Sequence, residues 1–210
     1  MLLLLAPART ARAVTCDEWG TGFGAKVDSF NHFGTSGTAT VVSAGSSCVL
    51  VRSAYIRIDM DNEAEVGWYK DGSDQSVYVC DNTTTPHVFV WARTAGYNKC
   101  KSGTAAVTGS AAYRIENPAH DNSVEYYYNG QYQGLFSVSF TQGESWSYSE
   151  HHVAGENLIV DWSNLRYLGN AGNWNLWPTI THWTYGDTSG FKRCAYSPTH
   201  WAVKTSSATC

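Results

Sequence analysis

Carboxylates recur on alternate residues of the stretch RIDMDNEAEVGWY, residues 57–69. Read as one strand, this stretch puts its acids on one face and its apolar side chains on the other. The acidic face consists of Asp59, Asp61, Glu63 and Glu65. Such a row suits a solvated strand end, a cation site or a catalytic acid. We expect a mostly solvated strand end, in which Glu65 is the member that reaches a cleft.

A calcium ion would require several oxygen ligands around one point. The acidic row offers carboxylates, but Ala64 stands where an EF-hand loop needs its glycine. A lone acidic strand face is more often hydrated than bound to metal. We therefore predict no metal site and no cofactor.

A second acid lies among aromatic rings in SWSYSEHHVAGEN, residues 145–157. Alternation places Trp146, Tyr148, Glu150 and His152 on one face of a strand. A carboxyl group between large rings has its pKa raised, because desolvation disfavours the charged form, and such groups serve as general acids. The alternative is an edge strand whose acid faces water.

Aromatic residues make up 14% of the chain, with nine Trp and thirteen Tyr. Such rings fill cores, but they also line concave sites and stack on sugar rings. The pattern favours a binding module for a glycan, for cell-envelope material or for a polypeptide. The candidate ligand-binding rings are Trp68, Trp91, Tyr126, Tyr128, Trp146 and Tyr148.

Six cysteines in a chain of 210 residues indicate disulfides and an oxidising compartment. We expect neighbours along the chain to pair, each bridge contributing roughly 3 kcal/mol by restricting the unfolded chain. The expected pairs are Cys16 with Cys48, Cys80 with Cys100, and Cys194 with Cys210.

The amino terminus has features of an export signal. A short apolar run, Leu2–Leu5, precedes Ala11-Arg12-Ala13, which fits a small-x-small cleavage site. We expect residues 1–13 to be the remnant of that signal and the protein to be secreted and extracellular.

Charge argues against several partner classes. The net charge is -4 and only 15% of residues are charged, whereas nucleic-acid binding favours a clustered basic face. Beyond the amino terminus the chain has no apolar segment long enough to span a bilayer. We expect a monomer whose partner is a glycan or a polypeptide.

Strand patterns dominate the chain, and helical periodicity is nearly absent. Asn129-Gly130 predicts a two-residue hairpin turn, because both turn positions need positive φ. Many short strands with turn signals between them indicate an antiparallel sandwich or barrel. We predict one domain over residues 14–210, with an irregular arm over about 14–47 and a loop-rich part over about 169–210.

Four segments, in order, resemble the glutamic peptidases of the eqolisin group over roughly residues 50–165. They are EVGWY, PHVFVWAR, VEYYYNGQ and SYSEHHVAGEN. The resemblance implies an all-β, antiparallel β-sandwich of the concanavalin-like jelly-roll type. It also implies activation of water by a Gln and a Glu in acid, with Glu150 in the position of the catalytic Glu.

The chain departs from that family at the other catalytic position, where Glu65 stands in place of the Gln. Two close carboxyl groups can share a proton in acid, or the exchange can mark a sandwich that has lost activity. We therefore rank a non-catalytic binding module first. The alternative is an acid-active hydrolase that uses Glu150 with Glu65, which requires the two carboxyl groups within about 8 Å for direct cooperation. A third possibility is a disulfide-stapled surface protein without a small ligand.

Overall fold

A computed structural model of the protein describes residues 21–41, 50–59, 62–69, 87–94, 97–106, 109–151, 159–186 and 188–210. Within these ranges the regular structure consists of fifteen β-strands. Their bounds are β1 Thr21–His32, β2 Gly34–Val41, β3 Leu50–Asp59, β4 Asn62–Tyr69, β5 His87–Thr94, β6 Tyr97–Ala106, β7 Gly109–Glu116, β8 Ser123–Tyr128, β9 Gln131–Ser137, β10 Gly143–His151, β11 Val160–Leu168, β12 Trp174–Leu176, β13 Thr181–Tyr185, β14 Phe191–Ser197 and β15 His200–Thr205.

The strands form two antiparallel sheets that pack face to face, and the inner face of each sheet is the one turned towards the other. The first sheet has seven strands in the order β13-β1-β10-β3-β4-β5-β6. The second has the order β14-β15-β11-β2-β7-β8-β9, and β12 pairs with β11 beside it. The predicted all-β antiparallel sandwich is confirmed.

The core lies between the inner faces. From the first sheet, Val66 and Trp68 of β4 point inward, and from the second sheet Ile115, Trp162 and Trp201 meet them. All five side chains are fully buried, and burying a large apolar side chain contributes about 1.5–3 kcal/mol. The alternation predicted for β4 is therefore confirmed, with its apolar side inward.

Strand β10 has small polar residues on its inner face. Ser145, Ser147 and Ser149 are each 0% exposed. The Nε1 of Trp201 donates a hydrogen bond to Ser147 Oγ at 2.9 Å, and Ser145 Oγ donates to the carbonyl oxygen of Gly34 at 3.1 Å. Small side chains leave room for the indole, and the hydrogen bonds offset the cost of burying hydroxyl groups.

One predicted disulfide lies among the described residues. Cys194 of β14 is bonded to Cys210, and their Cα atoms are 5.4 Å apart. This bridge holds the carboxyl terminus against the second sheet. Cys16, Cys48 and Cys80 lie outside the described residues, as does the side chain of Cys100, so the other two pairings stay predictions.

Several predicted boundaries were wrong. The expected irregular arm contains β1 and β2, and the expected loop-rich part contains four strands, β12–β15. Gly, Ser and Thr are weak strand formers on their own, but packing and pairing decide strand formation. The stretch read as one strand over 57–69 is a pair of strands, β3 and β4. Residues 1–13, the expected remnant of an export signal, lie outside the described residues.

The hairpin predicted at Asn129-Gly130 is confirmed. These residues join β8 to β9 with φ values of 47° and 76°.

Among the described residues, no helix is long and apolar enough to cross a membrane.

Candidate functional site on the outer face of the first sheet

Strand pairing gathers acids and rings on the outer face of the first sheet. Trp146 on β10 pairs with Tyr55 on β3, which in turn pairs with Glu65 on β4, and Glu65 pairs with Trp91 on β5. Because side chains alternate along each strand, every second neighbour shares that face. The outer face therefore carries Glu63, Glu65, Trp91, Glu144, Trp146, Tyr148 and Glu150.

The register separates the two acids of the predicted catalytic pair. Glu150 pairs with Val51 of β3, whereas Glu65 pairs with Tyr55, four residues further along the same strand. With ideal strand spacings, two strands across and four residues along place the Cα atoms of Glu65 and Glu150 about 16 Å apart. The two residues share a face, as predicted, but they are not opposite one another.

Tyr148 lies on this face between the two acids. Its hydroxyl donates a hydrogen bond to the carboxylate of Glu150. Burial raises the pKa of Tyr148 well above its ordinary value, and the charges of Glu150 and Glu65 raise it further. Tyr148 therefore keeps its proton over the whole neutral and acid range and can donate a hydrogen bond to Glu150 throughout it.

Glu65 lies in a shielded position. It is only 8% exposed, and its charge adds to the effect of burial in raising the pKa of Tyr126. The Tyr126 hydroxyl crosses from the second sheet and donates to the carbonyl oxygen of Trp91 at 3.1 Å. The two sheets are thus joined by a hydrogen bond next to Glu65.

Two other acids of this face are held in ion pairs. Lys26 lies 3.0 Å from Glu144 and 2.8 Å from Asp28, and its ammonium group is 5.1 Å from the centre of the Trp146 ring. Burial lowers the pKa of Lys26, but its hydrogen bonds to Asp28 and Glu144 outweigh burial and raise it overall. Glu63 lies 3.8 Å from Arg93 and is 8% exposed, so the prediction that it belongs to a solvated strand end was wrong.

Four aromatic rings, which we call the aromatic cluster, pack together on the outer face around β1. They belong to Trp146, Tyr148, Trp183 and Tyr185. Trp183 stacks on Tyr148 with ring centres 5.8 Å apart and on Tyr185 with centres 5.3 Å apart. The centre of the Trp146 ring is 5.6 Å from that of Trp183. Tyr148, Trp183 and Tyr185 stay partly exposed.

Two glycines of β1 let this cluster form. β1 lies between β13 and β10, and Gly24 pairs with both Trp183 and Tyr148. A Cβ atom on Gly24 would lie 2.2 Å from the Trp183 ring, and one on Gly22 would lie 2.4 Å from the Tyr185 ring. Without side chains at these positions, the rings of β13 lie across β1 and reach β10.

Sequence reasoning missed Trp183 and Tyr185 as site residues, because it placed them in a loop. A signal was present. In THWTY, aromatic side chains alternate with smaller polar ones, as in a strand. In GTGFGAK, three alternate residues are glycines, which leave one face of the strand without side chains. Neither pattern reveals that the two segments are neighbours, since that depends on pairing between residues about 160 positions apart.

The predicted ligand-binding rings divide into two groups. Trp91, Trp146 and Tyr148 lie on the outer face. Trp68 and Tyr126 are fully buried between the sheets, so they belong to the core and not to a binding surface.

Tyr128 packs against that core, with its ring centre 5.6 Å from the ring of Tyr113.

His152 lies outside the described residues. Within the described part, no three His, Cys, Asp or Glu side chains form a group that could hold a metal ion.

Comparison with solved structures places this fold beside that of glutamic peptidases. Scytalido-glutamic peptidase bound to a peptide-based transition-state analogue superimposes with a TM-score of 0.64 and 14% identity. SCP-B, a member of the eqolisin family bound to the tripeptide Ala-Ile-His, gives 0.62 and 14%. Each match covers 90% of this chain and 98% of the peptidase. The resemblance seen in the sequence is confirmed at the level of the fold.

More remote matches include a β-glucanase of Bacillus licheniformis, with a TM-score of 0.39 and 14% identity over 68% of this chain and 69% of the glucanase. A likeness at that level supports no statement about function. No protein-family model matches the chain, and no curated protein matches it. At 14% identity the peptidases share a sandwich with this protein, and a shared fold does not carry an activity with it.

Proposed function

We propose that this protein is a secreted binding module that holds a glycan chain on the outer face of the first sheet. The observation that carries the proposal is the aromatic cluster. Its rings are fixed in one patch across three strands, and three of them stay partly exposed. Partly exposed, immobilised aromatic rings are platforms on which sugar rings stack at low entropic cost.

The acids beside the cluster complement a polyhydroxylated ligand. Carboxylates accept hydrogen bonds from hydroxyl groups, and Glu150 already accepts one from Tyr148. Lys26, Asp28 and Glu144 add a charged border on the same face. An apolar platform with a few polar groups around it is the usual composition of a sugar site. The disulfide between Cys194 and Cys210 is consistent with an extracellular location.

Two histidines with lowered pKa values make the fold less stable in acid than near neutral pH. Burial lowers the pKa of His32 to about 4, and burial together with the charge of Arg193 lowers that of His182 to about 4. The unfolded chain binds these protons more readily than the folded chain does. Stability is therefore fully present above pH 6.5 and falls as the pH drops towards 4.

The test is a binding assay against neutral polysaccharides and cell-envelope preparations, followed by calorimetry with soluble oligosaccharides. Trp183→Ala removes the central ring of the cluster, and we expect it to weaken binding at least about tenfold. Tyr132→Ala is the matched control, because Tyr132 is a 56% exposed ring on β9 of the other sheet. Equal affinity for the two variants, or no binding by the unaltered protein, would refute the proposal.

An acid hydrolase is the second candidate, favoured by one observation. Tyr148 lies on the face that carries both acids, and its hydroxyl donates a hydrogen bond to the carboxylate of Glu150. In this candidate Glu150 would take a proton from the attacking water, and a protonated Glu65 would donate a hydrogen bond to the carbonyl oxygen of the substrate. The long backbone separation requires the substrate to lie between them.

Proteolysis of a denatured protein substrate from about pH 2 to pH 7 tests that candidate. It predicts cleavage confined to acid, abolished by Glu150→Gln and raised by Glu65→Gln, the substitution that introduces the family's residue. Tyr148→Phe is the graded control, because it removes the hydrogen bond and keeps the ring. Absence of cleavage at every pH would exclude the hydrolase.

A further inference from the structure

A cavity of about 380 Å³ opens at the end of β1, away from the aromatic cluster. It lies between the last residues of β1 and the loop that joins β11 to β12. This volume falls within the range of about 300–1,000 Å³ that is usual for small-ligand sites. Its main lining side chains are Asn31, His32, Tyr167, Asn170, Asn173 and Asn175.

Four asparagines give the cavity its chemistry. Within the described chain, the side-chain amides of Asn170 and Asn173 form no hydrogen bond to the protein. Asn31 uses only its oxygen, which accepts from Gln142 at 3.4 Å, and Asn175 uses only its nitrogen, which donates to a carbonyl oxygen at 2.9 Å. Each side chain therefore keeps a donor, an acceptor or both for a ligand.

The wall beside these amides is rigid and neutral. His32 is buried and stacks on Tyr167, with ring centres 4.2 Å apart and planes 27° apart. Burial lowers the pKa of His32 to about 4, so its imidazole is uncharged at higher pH. The loop is held by backbone bonds from Gly169 to Asn173 and from Gly172 to Gly169. Of the described residues that line the cavity, none carries a charge near neutral pH.

We propose that this cavity binds one neutral sugar unit, as a site separate from the outer face of the first sheet. Sugar hydroxyls donate and accept at once, which matches asparagine amides that do the same. A cationic partner strengthens the binding of an anionic ligand, and no Lys or Arg is among the described lining residues. Peptide recognition usually relies on pockets for apolar side chains, and among the described lining residues only Ala171 has a purely aliphatic side chain.

The experiment follows the side-chain amide signals of protein labelled with ¹⁵N-asparagine. The probes are the methyl glycosides of glucose, galactose, mannose and N-acetylglucosamine, each added to about 50 mM so that Kd values in the millimolar range are detected. Glucuronate and a neutral tripeptide amide are the comparison probes. We expect at least one neutral sugar to shift the signals of the lining asparagines, with the same affinity at pH 5.5 and pH 8.

The variant Asn170→Ala/Asn173→Ala assigns two of those signals and is expected to weaken sugar binding at least tenfold. Asn122→Ala is the matched control, because Asn122 is exposed in the turn before β8 and lies outside the cavity. Trp183→Ala separates the two sites, because it disrupts the aromatic cluster and is expected to leave the cavity's affinity unchanged.

Three results would overturn the assignment of this cavity. One is the absence of any shift with every neutral sugar, and another is tighter binding of glucuronate or of the peptide than of the sugars. The third is loss of sugar binding to the cavity in Trp183→Ala, which would show a single shared site. If the cavity binds no sugar, binding of a glycan polymer on the outer face can still be observed, so each proposal can be refuted without the other.

Discussion

Strands β4 and β10 carry the two acids of interest, yet they are built in opposite ways. β4 places Ala64, Val66 and Trp68 inward and its acids outward, as hydrophobic patterning requires. β10 turns its serines inward and its large rings and acids outward. Both strands alternate, but the large side chains of β4 lie in the core and those of β10 lie on the outer face.

The difference follows from the facing sheet, because the size of its side chains determines which side chains fit on the inner face of each strand. Opposite β10 lie Trp162 and Trp201, whose indoles fill the space between the sheets. Their N–H groups find acceptors on β10, at Ser147 Oγ and at the carbonyl oxygen of Tyr148. Large rings can then occupy the outer side of β10, where they form the aromatic cluster.

The largest loss of stability is expected from replacing the core tryptophan of β4, compared with the tryptophan on the outer face of β10. Trp68→Ala creates a cavity in the core and should lower the free energy of unfolding by about 3–5 kcal/mol. Trp146→Ala removes a ring on the outer face that is 9% exposed, and it should cost less than Trp68→Ala while it weakens glycan binding. Urea denaturation measures the first quantity and calorimetry the second. Equal stability losses would contradict the contrast.

The next effect concerns acid. Between pH 6.5 and about pH 4 the unfolded chain binds protons at His32 and His182 more readily than the folded chain, because their folded pKa values are lowered to about 4. The resulting loss of stability should reach about 3 kcal/mol for the buried His32 and be smaller for the more exposed His182. His32 pairs with Gly143, where β10 begins, and His182 lies on β13. Hydrogen exchange at pH 4 should therefore release amides of β1, β10 and β13 before those of β4. His32→Phe keeps the stack and should remove about half of the acid loss; an unchanged loss would contradict the assignment.

A smaller effect tests how the outer rings reach β10. Gly24→Ala introduces a Cβ into the space of the Trp183 ring and should lower stability by about 2 kcal/mol, with a change in tryptophan fluorescence. In the double variant Gly24→Ala/Trp183→Ala the clash is absent. The second substitution should then cost less in the Gly24→Ala background than alone, and simple additivity of the two costs would argue against the contact.

The smallest effect tests the serine side of β10. Ser147→Ala leaves the indole N–H of Trp201 without its acceptor and should cost about 1 kcal/mol. A double-mutant cycle with Trp201→Phe should show that this cost disappears once the donor is gone. A cost that persists in the Trp201→Phe background would place the role of Ser147 in packing instead of hydrogen bonding.

Much of this could be predicted from local patterns. Alternation in β4 and β10 indicated which side chains share a face, and Asn129-Gly130 fixed one hairpin. The order of four segments led to the correct fold. What alternation cannot give is which face lies inward. The rings of Trp68 and Tyr126 lie in the core, whereas those of Trp146 and Tyr148 lie on the outer face, opposite the inward serines of β10.

The remainder depends on pairing between distant segments. The offset between Glu65 and Glu150 is set by the registers of β3 with its two neighbours. Trp183 joins the site only because β13 pairs with β1 at the opposite end of the chain. No local signal carries that information, since many alternative pairings satisfy the same hydrophobic pattern.

The pairing of β1 and β2 also has a consequence for synthesis of the chain. β1 is completed by β10 and β13, and β2 by β7 and β11, so both sheets enclose strands from the amino terminus between partners made much later. Such non-local topology makes folding slow, and a nascent chain cannot close either sheet until its last quarter has emerged. The bond between Cys194 and Cys210 joins β14 to residues that follow β15, so it too can form only after the last strands have been made.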